Sequence, residues 1–141
     1  MSGDRNEARP AATPGTIMVP VAPGELIDKI TILEIKAERI AEPGKRANVT
    51  AELALLAALR ESALPADATV TALTDELRAV NAALWDIEDD IRLHEARGDF
   101  GESFVALARA VYRTNDRRAA LKRRISEHLG STIVEEKSYA G

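Results

Sequence analysis

Between residues 69 and 129 apolar side chains recur at alternating steps of three and four, with no proline and with the only two glycines close together at 98 and 101. A 3.6-residue period sustained this long dictates two long amphipathic helices rather than strands. The first carries Val70, Leu73, Leu77, Val80, Leu84, Ile87, Ile91 and His94 on one stripe and is predicted over 69–97, at 1.5 Å per residue about 40 Å long. Gly98 ends it, and Asp99 with Glu102 reads as a capping box that opens the second. The second carries Phe104, Ala108 and Val111, then Asn115, Arg118 and Lys122, then Ile125 and Leu129.

So tight a turn between helices of similar length means an antiparallel hairpin. Its register follows from residue numbers. Ile87 with Val111, Val80 with Arg118 and Leu73 with Ile125 all sum to 198, and Leu84 with Asn115 and Leu77 with Lys122 sum to 199. The two stripes therefore face each other along their whole length.

Upstream, Pro23 and Gly24 close a short extended piece over 16–21, and a helix is predicted over 25–40 with Leu26, Ile30, Leu33, Ala37 and Ile40 on one stripe. Asp28, Ile32, Ile35 and Arg39 lie on its other side, a half-apolar face suited to a further helix or to a second copy. Pro43 and Gly44 stop it. Asn48 is read as the cap of a further helix over 49–62, and residues 131–139 as a second extended arm. Residues 1–15 have the composition of a disordered tail, and 16–141 read as one domain. The expected fold is an all-α four-helix bundle dominated by the hairpin, with an extended arm at each end.

Composition excludes several chemistries. With no cysteine there is no disulfide framework, thiolate nucleophile or Cys-based metal site, and the two histidines do not make a metal centre. No apolar run approaches the roughly 20 residues that cross a bilayer. No secretory signal is recognisable, so a cytoplasmic location is expected by default. A net charge of −4 argues against generic nucleic-acid binding. The charge is nevertheless segregated: residues 75–95 hold seven acids against Arg78 and Arg92, and residues 109–124 hold seven bases against Asp116. These outer charges fit a solvated, salt-bridged surface, and no aromatic residues interleave with Arg109, Arg113, Arg117 and Arg124 as base stacking would need.

The most informative irregularity is the polar trio Asn115, Arg118 and Lys122 on a stripe that is otherwise apolar. A guanidinium and an ammonium turned toward a core cost several kcal/mol unless each meets an anion or water. Asn81, Trp85, Glu88 and Arg92 form the shoulder beside the facing stripe, and the register brings them level with Tyr112, Asn115 and Arg118. One reading is a buried salt-bridge network, Glu88 with Arg118 for example, that fixes helix register. The other is a polar pocket, since Arg92, Arg118 and Lys122 outnumber Glu88 unless the first helix supplies Asp28. In a pocket, Arg92, Arg118 and Lys122 would hold a phosphate, Trp85 and Tyr112 would stack on a ring, and Asn81 and Asn115 would orient hydroxyls. Glu88 or Asp28 would be the acid or base of any chemistry. The acidic run Asp86 to Asp90 is a weak Mg²⁺ signal, and His94 reads as a packed histidine bonded to a backbone carbonyl. No cofactor is indicated.

The segments VPVAPGELIDKITILEIKAERI, NAALWDIEDDIR, ARAVYRTNDRRAALKRRI and GSTIVEEKSY resemble a bacterial family of small helical proteins classed as a domain of unknown function, over Val19 to Tyr139. LWDIEDDIR with YRTNDRRAALKRRI also resembles a second, longer uncharacterised family. Both resemblances imply an association with sugar-transfer and surface-polysaccharide genes, hence a phosphosugar context. The alternative is a non-catalytic interaction module that docks on a sugar-transfer enzyme through the outer face of the first helix, and that half-apolar face also makes a homodimer the expected oligomer. The first helix alone is similar to that of the all-helical chorismate mutases. The place of their substrate-gripping arginine holds Gly24 and that of their second aspartate holds Thr31, so the likeness does not extend to their chemistry.

Overall fold

The computed structural model describes residues 14–139 and contains four helices: α1 (Pro23–Arg39), α2 (Pro43–Ala63), α3 (Ala68–Arg97) and α4 (Glu102–His128). The all-α bundle is as expected, and α3 with α4 forms its most extensive pairing. The tail expected over 1–15 lies, except for residues 14 and 15, outside the described residues.

Helix ends follow from local chemistry. Asp67 caps α3, its Oδ1 accepting from the Val70 N–H at 3.0 Å. Gly98 ends it in the left-handed conformation, φ 68°. The Asp99/Glu102 capping box does not form: Gly101 is the N-cap and makes no side-chain bond, while Asp99 accepts from the Gly101 N–H. The start of α2 also differs from expectation. It begins at Pro43, not near Val49, because both oxygens of Glu42 accept from the Gly44 and Lys45 N–H groups and Pro43 suits the first turn. The Pro-Gly pair that stops α1 therefore starts α2, and Asn48 lies inside the helix.

Helix α1 is the middle layer. It packs against α2 on one side and against both hairpin helices on the other, whereas α2 touches α1 alone and contains no fully buried residue. Hence α1 is apolar nearly all round, with Leu26, Ile27, Ile30, Leu33 and Ile35 buried. Ile27, absent from the expected stripe, is completely enclosed and joins the core formed by Val70, Leu73, Leu77, Val80, Leu121 and Ile125. On the second face of α1, Ile35 is buried inside the protomer and Ile32 is half-buried.

The hairpin stripes are buried over only half their length. Every buried residue of α3 lies within 70–81 and of α4 within 114–126, the half that α1 covers. Farther up, Leu84, Ile87, Ile91, Leu107 and Val111 are half-buried, because two helices without a third cannot enclose a stripe. The arms over 16–21 and 131–139 have no regular secondary structure; among the described residues there is no strand. Among the described residues no helix is long and apolar enough to cross a membrane.

Candidate functional site

Asp28 on α1 is 1% exposed, and it is where the polar residues of the hairpin converge. Arg118 donates to it twice, Nε to Oδ1 at 2.9 Å and Nη2 to Oδ2 at 2.6 Å, the bidentate geometry in which a guanidinium matches a carboxylate. Asn81 Nδ2 donates to Asp28 Oδ1 at 3.0 Å and to Thr31 Oγ1 at 2.9 Å, while the Thr31 hydroxyl donates back to the Asp28 carbonyl at 2.8 Å. Asn81 and Arg118 meet on one oxygen, and their numbers sum to 199, as the predicted register requires. Burial alone would raise the Asp28 pKa, but the Arg118 and Asn81 hydrogen bonds outweigh it and hold the carboxyl below its ordinary value. Its bonds to Asp28 raise the Arg118 pKa against the opposing effect of burial.

The anion that Arg118 needs is thus Asp28 and not Glu88, which is exposed. With its carboxyl pKa lowered and its side chain almost wholly excluded from water, Asp28 fits an orienting role better than that of an acid or base.

Beside this network lies an open groove of about 390 Å³ between α1 and α3, with Ile32, Ile35 and Leu84 as apolar lining and Asn81, Trp85, Glu88, Asp89, Arg92 and Arg118 as the remainder. Five of the nine residues singled out from sequence, Asn81, Trp85, Glu88, Arg92 and Arg118, therefore do share one concavity. Trp85 is half-buried, with the Arg39 guanidinium 5.9 Å from its ring centre and Arg39 bound in turn to Asp86 at 2.6 Å. Arg118 spends its Nε–H and one Nη2–H on Asp28, so three of its five N–H groups have no partner among the described residues.

The other expected residues lie elsewhere. Tyr112 is 55% exposed and outside the groove, with Arg113 over its ring. Asn115 is half-buried and also outside it. Lys122 turns toward the N-terminus of α1, bonding Glu25 at 2.6 Å and Glu135 of the C-terminal arm at 3.1 Å. Burial would lower its pKa, but those two carboxylates raise it. With Arg123–Glu136 and Lys137–Asp116 pairs beyond it, the arm lies along α4 over a separate cavity of about 180 Å³ and leaves the Trp85 groove uncovered. Among the described residues no His, Cys, Asp or Glu cluster has the geometry of a metal site. His94 is a packed histidine, its Nδ1 2.8 Å from the Asp90 carbonyl.

One contact was not foreseen. Ala22, the N-cap of α1, makes no side-chain bond; instead Ser126 of α4 accepts from the Gly24 N–H at 3.0 Å. Gly24 is there because α4 comes so close that a Cβ would sit 2.1 Å from the Lys122 carbonyl oxygen. A lone glycine after a proline reads as a turn, and nothing local marks it as a helix-crossing point.

A family model, described as a family of unknown function (DUF6165), matches residues 17–141, and the chain belongs to that family. No curated protein and no solved structure matches it.

Proposed function

We propose that this DUF6165 protein binds an anionic small molecule, a sugar phosphate or nucleotide sugar, in the groove between α1 and α3. The observation that carries the reading is the Asp28–Arg118 pair: a guanidinium fixed by two bonds, with three N–H groups left over, at a groove that also holds Trp85. Arg118 is a preorganised donor that loses no side-chain entropy on binding. Arg92, exposed and without an ion pair among the described residues, supplies the second cation. Trp85 offers a ring face for stacking, and Glu88 accepts sugar hydroxyls. The groove volume falls within the roughly 300–1,000 Å³ usual for ligand sites. Asn81 is committed to Asp28 and Thr31 and serves to position them; Lys122, Tyr112 and Asn115 drop out of the binding set. The resemblance to proteins associated with sugar transfer supports this ligand class.

A second reading, a module that docks on a sugar-transfer enzyme, is favoured by the N-terminal arm. Ile17, Met18 and Val19 are 87, 63 and 66% exposed on a segment without regular secondary structure, so a partner protein would gain their burial. Thermal-shift screening against hexose phosphates and nucleotide sugars separates the two. A rise in melting temperature with one of these compounds supports the groove reading, and no shift with any of them leaves the docking module.

A further inference from the structure

On the side of the hairpin away from α1, charge is arranged in two unneutralised rows. Helix α1 meets α3 at Asn81 and α4 at Arg118 and Ser126. Half a turn round from these contacts, α3 presents Glu76, Ala79, Ala83 and Asp90, and at its C-terminal end Arg97, all exposed. The corresponding side of α4 presents Arg109, Arg113, Arg117, Ala120 and Arg124, also exposed. The salt-bridged surface expected from sequence forms in part: Asp75 pairs with Arg78, Asp86 with Arg39, Arg123 with Glu127 and Asp116 with Lys137, whereas among the described residues those four arginines make no ion pair, and neither do Glu76 and Asp90. The acids pair with nothing on their own α4 because the two rows sit on separate helices and point the same way.

We infer that this face is the interface between two copies of the chain, related by a two-fold axis along the hairpin. Such an axis lays the acidic α3 of one copy on the basic α4 of the other while keeping every residue at its own height. The hairpin register then pairs partners closely. A residue of α3 lies level with the α4 position that completes 198 or 199, which puts Asp90 level with the partner's Arg109 and Glu76 within one turn of the partner's Arg124. Ala79 falls beside the partner's Ala120, where two methyl groups allow the helices to approach.

The face is its own complement. A different partner would have to reproduce both rows, whereas a second copy carries them already. Its extent is adequate: 30 residues of α3 give a length near 45 Å and two helices a width near 20 Å, so about 900 Å² per copy against the roughly 800 Å² typical of stable pairs. The Trp85 groove faces the other way and stays open in the dimer, so this inference does not depend on the ligand.

Sedimentation equilibrium on three proteins tests it. The wild type is expected to be a dimer whose dissociation constant rises at least about tenfold from low to high salt. A variant with Arg109, Arg113 and Arg117 changed to Glu, and another with Glu76→Lys and Asp90→Lys, are each expected to be monomeric. Mixed one to one they are expected to form a heterodimer, since each keeps the row the other has lost, and a misfolded variant would not regain a partner in this way. The inference is overturned by a monomeric wild type at its highest soluble concentration, by an arginine variant that remains dimeric, or by a mixture that stays monomeric. A monomeric wild type whose arginine row binds DNA would overturn it in favour of a polyanion site.

Discussion

Arg118 and Asp28, 90 residues apart in sequence, are joined by two hydrogen bonds across the interface of α1 and α4, and the carboxylate of the pair is almost wholly excluded from water. Replacing Arg118 with Met strands that carboxylate. With Arg118 itself 30% exposed, the expected loss is about 2–4 kcal/mol in urea unfolding, below the upper range for a fully buried pair. Adding Asp28→Asn to Arg118→Met should recover part of it, because the stranded charge is then gone. Additive losses would contradict the coupling.

Acid should unfold the protein partly through Asp28. Its pKa in the folded protein is below the unfolded value of 3.8, so the stabilisation it contributes is present above about pH 4 and lost as pH falls through the lower folded value. Unfolding followed by circular dichroism from pH 6 downward should show a shallower acid dependence in Asp28→Asn than in the wild type.

At the α1–α4 crossing, Gly24→Ala should destabilise by about 2–4 kcal/mol, since the added methyl meets backbone, which cannot turn aside as a side chain would. Ser126→Ala removes only the bond that caps α1 and should cost about 1 kcal/mol. Equal melting temperatures for the wild type and Gly24→Ala would disprove the close approach.

The layering predicts a gradient of stability. Ile27→Ala, in the completely enclosed centre, should cost about 3 kcal/mol, while Leu56→Ala on the half-buried face of α2 should cost about 1 kcal/mol. Hydrogen exchange should be slowest in α1 and the covered half of the hairpin and faster in α2 and around Gly98.

The hairpin was legible because period and turn residues are local signals, and its register because a tight turn leaves little freedom; the meeting of Asn81 and Arg118 on Asp28 bears this out. The need for an anion opposite Arg118 was legible too, and Asp28 stood among the alternatives. What sequence did not disclose was where α1 crosses the hairpin. That crossing decides which half of the stripes is buried, sends Lys122 to Glu25 instead of to the groove, and leaves Tyr112 outside. It is set by Gly24 against the Lys122 carbonyl, a contact between residues whose separate patterns say turn and surface. The start of α2 was missed for a local reason, Glu42 capping a helix that a Pro-Gly pair appeared to forbid.

Arg92 offers the most direct test of the groove, because it is exposed and unpaired among the described residues, so its removal leaves the Asp28 network intact. Isothermal titration of a nucleotide sugar into wild type and Arg92→Met is expected to give saturable binding to the wild type, at least about tenfold weaker binding to the variant, and equal melting temperatures of the two free proteins. Equal affinity for both proteins, or no binding heat with hexose phosphates and nucleotide sugars alike, would contradict the assignment of the groove as an anion-recognition site.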